Sequence, residues 1–187
     1  MIQLHLGCGW RNFGPEWVHI DKGSYAHLDS KDIINLPYAD NSVDLIYASH
    51  VFAYFDREEG LQVLKKWFLK LKKGGLLRIS VTDFATIAKL YLAGQFPLES
   101  FLGPLFGKMQ MGDATIYEKT VYDFAGLNQL LRTTGFSDVN YYDWKKTEHA
   151  QFDDHSKAHL PHDPEAIKTQ NFTAKHTLIS LNIEAKK

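Results

Sequence analysis

The chain has 187 residues, of which 44% are apolar, with 13 Gly and 6 Pro, the make-up of one globular domain rather than a disordered segment. Lys and Arg number 21 against 22 Asp and Glu, so the formal charge of −1 gives nucleic acid no electrostatic hold. The single cysteine, Cys8, excludes an intrachain disulfide and suits a reducing compartment. No apolar run is long enough to span a membrane, and Met1-Ile2-Gln3-Leu4-His5 lacks the pattern of a signal peptide, so the expectation is a cytoplasmic protein without a membrane partner.

Residues 2–6 read as a first strand, ending in the glycine turn Gly7-Cys8-Gly9. The stretch from Gly7 to Glu16 is too short for a full crossover helix, and Gly14-Pro15 turns the chain into a second strand at 17–21. A third, short strand is expected at 31–34 and a longer one at 43–48. Asp56 with Glu59 three positions on has the form of a capping box. It opens a helix with Leu61, Leu64, Trp67, Phe68 and Leu71 inward and Lys65, Lys66, Lys70, Lys72 and Lys73 in solvent. Gly74-Gly75 closes that helix, and a strand follows at 76–81. Asp83 is placed to cap a helix over about 84–93 that buries Ile87, Leu90 and Tyr91. Residues 94–121 are an apolar insert, a lid or an oligomer contact, with exposed-looking Phe96, Phe101, Phe106, Met109 and Met111; a homodimer through 96–111 is the expectation. Residues 123–133 are helical up to Gly135, strands follow at 136–142 and 177–185, and a histidine-rich segment, 145–175, lies between them. Together these elements predict one α/β domain over 1–187: a doubly wound, mostly parallel sheet with an antiparallel C-terminal end.

Glycines at a strand's C-terminal end let backbone approach a ligand, and a carboxylate closing the neighbouring strand can accept from ribose hydroxyls. Gly7, Gly9 and Asp21 have that relation, which points to a nucleoside-containing cofactor. A dinucleotide site needs a helix directly after the glycines and an acid about 20 residues further on. Here Asp21 follows Gly9 by 12 positions with no room for that helix, so a cofactor without a pyrophosphate fits better and a nicotinamide-dependent oxidoreductase is disfavoured.

Taken in order, the motifs resemble those of small class I S-adenosylmethionine-dependent methyltransferases of the type 11 group. Leu6-Gly7-Cys8-Gly9 is similar to motif I, and Val18-His19-Ile20-Asp21 to the second strand with its ribose-binding acid. Asp32-Ile33-Ile34-Asn35-Leu36-Pro37-Tyr38 is similar to the segment around the adenine, and Ser42 to Val51 to the fourth strand. Leu71-Lys72-Lys73-Gly74-Gly75 is similar to the turn into strand five, and Gly135-Phe136 with Val139 to the turn into strand six. The resemblance covers about 1–140 and implies a three-layer, seven-stranded Rossmann-like sheet of order 3-2-1-4-5-7-6, strand seven antiparallel. It implies S-adenosylmethionine as cofactor and methyl transfer to a small-molecule acceptor, a saccharide or its precursor. A non-catalytic, cofactor-binding sensor is the competing reading, because Phe52-Ala53-Tyr54 stands where the family commonly reads Leu-Glu-His. Arg11 likewise replaces a third glycine.

By the same resemblance, Gly7, Cys8 and Gly9 meet the methionine portion, Asp21 the ribose, Asp32 the adenine amino group, Ile33 its ring, and Ser49 the methionine side. Asp32 serving as a turn cap is the alternative. His50 and Asp83, just past two adjacent strands, are candidates for a general base, with helix capping or another structural role as the alternative for each. Tyr122 and Asp123 are candidates for the acceptor pocket, as are His155 and His159, which would share a face if helical. Without supporting cysteines, and with Pro161 and Pro164 against a long helix, no metal is expected there. The first strand lies so near the first residue that a later segment, about 150–165, is expected to cover the cofactor.

Overall fold

The computed structural model describes residues 1–111, 113–152, 154–161 and 176–187. Residues 162–175, part of the histidine-rich segment and of the expected cover, and Asp153 lie outside the described residues, as does Gly112 in the insert.

The chain opens with β1 (Gln3–Leu6), whose four residues are all buried because parallel strands flank it on both sides. After β2 (Val18–Ile20) and β3 (Val43–Ser49), α1 (Arg57–Lys70) starts at the capping box read from sequence. Asp56 accepts from the backbone of Glu58 and Glu59, and Glu59 accepts from the backbone of Asp56. β4 (Leu71–Thr82) leads to α2 (Phe84–Leu92), capped by Asp83, and to α3 (Glu99–Phe106). The hairpin β5 (Met109–Met111) and β6 (Ala114–Ile116) precedes α4 (Phe124–Thr134), which Asp123 caps and Gly135 ends at φ +114°. β7 (Ser137–Tyr141), β8 (His159–Pro161), β9 (His176–Leu178) and β10 (Ser180–Lys186) complete the described strands.

The main sheet has the order β2-β1-β3-β4-β10-β7, parallel from β2 to β4, with β10 antiparallel to both its neighbours. That is the expected 3-2-1-4-5-7-6 order with the third position reduced to one parallel bridge, Ile20 to Ser30. Residues 31–34 do not extend because the Asp32 carboxylate takes the backbone N–H of Ile34 and of Asn35, a local turn that competes with the ladder.

One face of the sheet carries α1 and α4 over the main core, where Leu64, Trp67, Leu127 and Leu131 meet Leu4, Ile46 and Ile79. The other face is closed by rings. Phe13 stacks on His5 and Phe152 at centroid distances of 4.0 and 4.7 Å, and His149 stacks on Tyr47 at 4.1 Å. Trp17 meets Phe13 edge-on. The loop 10–17 and the segment 144–158 thus take the place of a helical layer there.

Other details depart from the sequence reading. Helix α1 ends at Lys70, because Leu71 already pairs with Val43 and the glycines lie inside β4, beside a register shift. Val63 is buried where Leu61 is only half-buried, and Tyr91 is 51% exposed. Phe96 and Phe101 are not surface residues: they fill a second core with Ile87, Leu90, Leu160 and Ile179. Phe106 and Met109 are exposed as read. The final strand breaks at Ile179, so that β9 pairs with β8 in a separate small sheet and β10 joins the main one. His155 and His159 do not share a helix, since the first lies in a 3-10 turn and the second in β8. Among the described residues no helix is long and apolar enough to cross a membrane.

Candidate active site

The site forms where β1, β2 and β3 end. Gly7 leaves β1 at φ +67°, with its N–H donating to Ile20 O at 2.8 Å. A Cβ there would stand 2.5 Å from Val51 Cβ, so only glycine lets the two strand ends close up. Gly9, at φ +58°, donates its N–H to Asp21 Oδ2 at 2.8 Å, and Gly23 donates to Asp21 Oδ1 at 2.6 Å. Asp21 therefore ties both loops to the end of β2 while each carboxylate oxygen keeps a lone pair for a hydroxyl.

Cys8 lies buried inside the loop. Burial and the neighbouring Asp21 push its thiol up to about 12, which leaves it a packing group rather than a nucleophile. Ile33 is fixed by its carbonyl, which accepts from Trp67 Nε1 at 2.7 Å and pins the 30–36 loop to α1. Asp32 points elsewhere: the Asn35 amides, backbone and side chain, hold its carboxyl below the usual range, and it lines neither of the two cavities at the site.

β3 ends in Ser49 and His50. His50 sits at φ +49°, a left-handed conformation uncommon outside glycine and concentrated where function demands it. Its Nε2 lies 3.1 Å from Ser180 Oγ. Burial, with His155 nearby, lowers its pKa to about 3 and keeps the ring neutral, although Asp154 pulls the other way.

Two cavities meet here. One, of about 810 Å³, is lined by Ile33, Ile34, Val51, Phe55, Val63 and Ile116 among others. The other, of about 660 Å³, is lined by His5, Cys8, Arg11, Ser49, Asp154 and His155. Gly7, Asp21, Lys22, His50, Met109 and Met111 line both. The first is apolar enough for a flat heteroaromatic ring, and the second offers polar groups to a hydrated ligand. Two of those groups, the Ser49 hydroxyl and His5 Nδ1, are buried with no hydrogen-bond partner among the described residues.

Asp154 is a site residue that the sequence reading did not single out. It accepts from Tyr47 Oη at 2.8 Å and from the backbone of Ser156 at 2.6 Å, with His149 Nδ1 at 3.4 Å. Burial would raise its pKa, but donors from His149, Ser156 and Tyr47 outweigh that and hold the carboxyl well below the usual carboxylate range. The other candidates fall away from the cavities. Asp83 spends both oxygens on Ala85 N and Thr86 Oγ1 as the cap of α2. Tyr122 is buried against Phe52 in the main core, Asp123 caps α4, and His159 lies beside His176. Among the described residues no three His, Cys, Asp or Glu side chains stand close enough to hold a metal ion.

Residues 12–79 match the family model described as a methyltransferase domain. Over 125 residues the chain is 30% identical to a demethylmenaquinone methyltransferase of Staphylococcus haemolyticus (strain JCSC1435), covering 60% of this chain and 48% of that protein. Among solved structures, an S-adenosylmethionine-dependent methyltransferase from Archaeoglobus fulgidus superposes with a TM-score of 0.58 at 18% identity, over 99% of this chain and 85% of the other. Over residues 12–79 the chain is similar to a methyltransferase domain, and its fold is shared with S-adenosylmethionine-dependent methyltransferases. A 1,6-didemethyltoxoflavin-N1-methyltransferase from Burkholderia thailandensis, solved with S-adenosylhomocysteine, shares the fold at a TM-score of 0.52, 13% identity, and coverage of 100% of this chain and 70% of that one. The chain spans about half the length of the curated relative it matches.

The residues fit the cofactor of these methyltransferases. The side-chain-free approach at Gly7, the spare lone pairs of Asp21 and the apolar walls at Ile33 and Val51 suit a methionine tail, a ribose and an adenine in turn. Cys8, Gly9 and Ser49 line the second cavity, and Asp32, alone among the expected cofactor contacts, lines neither.

Proposed function

We propose that this chain transfers a methyl group from S-adenosylmethionine to a small polar acceptor that shares the second cavity with the cofactor's methionine tail, with His50 at the point where the two cavities meet. The observation that carries this reading is the shared lining of the cavities by Gly7, Asp21 and His50. Arg11, Lys22, Asp154 and His155 would lose hydration against an apolar ring. That lining favours a hydroxylated acceptor, a saccharide or its precursor, over the quinone named for the staphylococcal relative.

Bound S-adenosylmethionine supplies a methyl carbon on a sulfonium sulfur, open to in-line displacement by a nucleophile. The protein's share is alignment and proton removal. His50, neutral at any ordinary pH, accepts the acceptor's hydroxyl proton. A base with a pKa of about 3 suffices, because an alkylated hydroxyl that still carries its proton is a far stronger acid than an imidazolium. Asp154 and His155 flank the acceptor side, and the backbone around Asp154 supplies the cover expected of 150–165 in part. A homodimer through 96–111 would use Leu98, Leu102 and Phe106, since Phe96 and Phe101 are spent inside.

Calorimetry with S-adenosylhomocysteine and with NAD tests the cofactor: the first should bind, and binding of NAD alone would overturn the reading. Transfer of radiolabelled methyl to hydroxylated acceptors then tests the activity. His50→Asn, which tolerates the left-handed backbone, should lower kcat by about 10²-fold or more while changing S-adenosylhomocysteine affinity only a few-fold. Between pH 5 and 8 His50 itself should impose no titration on kcat.

A further inference from the structure

Three hydrogen bonds behind His50 bear on which of its nitrogens carries the proton. Asn182 Nδ2 lies 2.9 Å from the backbone carbonyl of Ser156, an acceptor only, so the amide's NH₂ must face that carbonyl. Its oxygen, Oδ1, then faces Ser180 Oγ at 3.0 Å and can only accept. The Ser180 hydroxyl has one proton and spends it there. What remains towards His50 Nε2, 3.1 Å away, is an oxygen lone pair, so this contact is a hydrogen bond only when the ring donates.

We propose that Ser180 and Asn182 are positioning residues that fix His50 as the Nε2–H tautomer, leaving Nδ1 bare as the lone pair that receives the acceptor's proton. The role of Nδ1 rests on the general-base reading of His50 above; the tautomer assignment does not. Ser180 and Asn182 lie on one face of β10, in register with Thr82 and Ser80 of β4, so two paired central strands hold the relay. Both side chains are buried, which keeps water from offering a rival donor. Asn182 also binds the 3-10 turn that carries His155, so one amide ties the base to the segment lining the acceptor cavity. After the proton arrives at Nδ1, the imidazolium still donates from Nε2 to Ser180, and the relay needs no rearrangement. The rival acceptor at the ring is the backbone of His155, which could hold the proton on Nδ1 instead.

Nitrogen-15 NMR of the full chain labelled at histidine separates the two. At pH 7 the His50 ring should show a protonated Nε2 and a bare Nδ1, and Ser180→Ala should convert it to a mixture. In turnover, Ser180→Ala should lower kcat roughly ten- to hundredfold with KM for S-adenosylmethionine unchanged, and Ser180→Thr, which keeps the hydroxyl, should restore it. Added to His50→Asn, Ser180→Ala should have no further effect on kcat. A protonated Nδ1 in the wild-type protein would overturn the proposal. So would an equal loss from Ser180→Ala with and without His50, which is the mark of a merely structural role. Full turnover by His50→Asn would instead overturn the base reading, while a protonated Nε2 would still uphold the tautomer.

Discussion

Gly7→Ala should cost the protein most of its cofactor affinity, whereas Gly9→Ala, two residues on, should cost little. Both glycines have positive φ, +67° and +58°, so each alanine suffers about 1–2 kcal/mol of backbone strain. Only at Gly7 does a side chain also collide, with Val51 Cβ and Cγ2 both at 2.5 Å. Overpacking of that kind adds about 1–3 kcal/mol, and nothing flexible stands there to give way. Relief would have to move Val51, and with it His50, which is already held in a left-handed conformation. The expected result by calorimetry is a loss of about 100-fold or more in S-adenosylhomocysteine affinity for Gly7→Ala, with a lower melting temperature. Gly9→Ala has open space for its Cβ and should lose less than about tenfold. Equal losses at the two positions would sink the collision argument.

The second large effect is on stability against pH, and two histidines opposed by one glutamate set it. Burial, with His19 beside it, pushes the His5 pKa well below its usual value, and burial lowers His50 to about 3. In the unfolded chain both take up protons near pH 6.5, which the folded ring refuses, so stability is lost as pH falls below that value. Glu118 works the other way. Burial raises its carboxyl to about 8, so the folded protein keeps a proton that the unfolded chain releases near pH 4.5, and stability is lost as pH rises between those values. Asp154 adds nothing in this window, because its depressed folded pKa makes its contribution complete above the unfolded value near 3.8. At about 1.4 kcal/mol per pKa unit, two histidines outweigh one glutamate on the acid side. Melting temperature should therefore fall from pH 6.5 to 4.5. Glu118→Gln should raise it at pH 8, by several degrees, and leave it nearly unchanged at pH 4.5. A gain of the same size at both pH values would show that the buried carboxyl, whose Oε2 has no hydrogen-bond partner among the described residues, is not the cause.

Much of this was legible because it is local. Asp56, Asp83 and Asp123 each announce a helix within three or four residues, and all three cap one. The glycine turn, Asp21 and the buried strands are likewise written in short stretches, and the resemblance carried by their order implied the order of the sheet. What escaped was either a local competition or a distant meeting. Asp32 could accept from a ligand or from its own turn, and the nearer N–H groups won. Phe96 and Phe101 look exposed until Leu160 and Ile179 arrive to cover them. The Tyr47 to Asp154 bond spans 107 positions and the His50 to Ser180 bond 130, and no periodicity reports such pairs. The aromatic closure of the second face is of the same kind: Phe13 and Phe152 each read as isolated residues until they stack.

The lining that the two cavities share is uneven in firmness. Their common floor is backbone and a tied carboxylate, Gly7 and Asp21, while Met109 and Met111 of the β5–β6 hairpin lie along both. Methionine is unbranched and polarizable, and it repacks around differently shaped neighbours at little cost. A rigid floor under a plastic roof separates two kinds of selectivity. On the proposed reading the protein should be strict about the methyl donor, whose polar groups meet fixed partners, and tolerant of variation in the bulk of the acceptor, because the methionines can follow its outline.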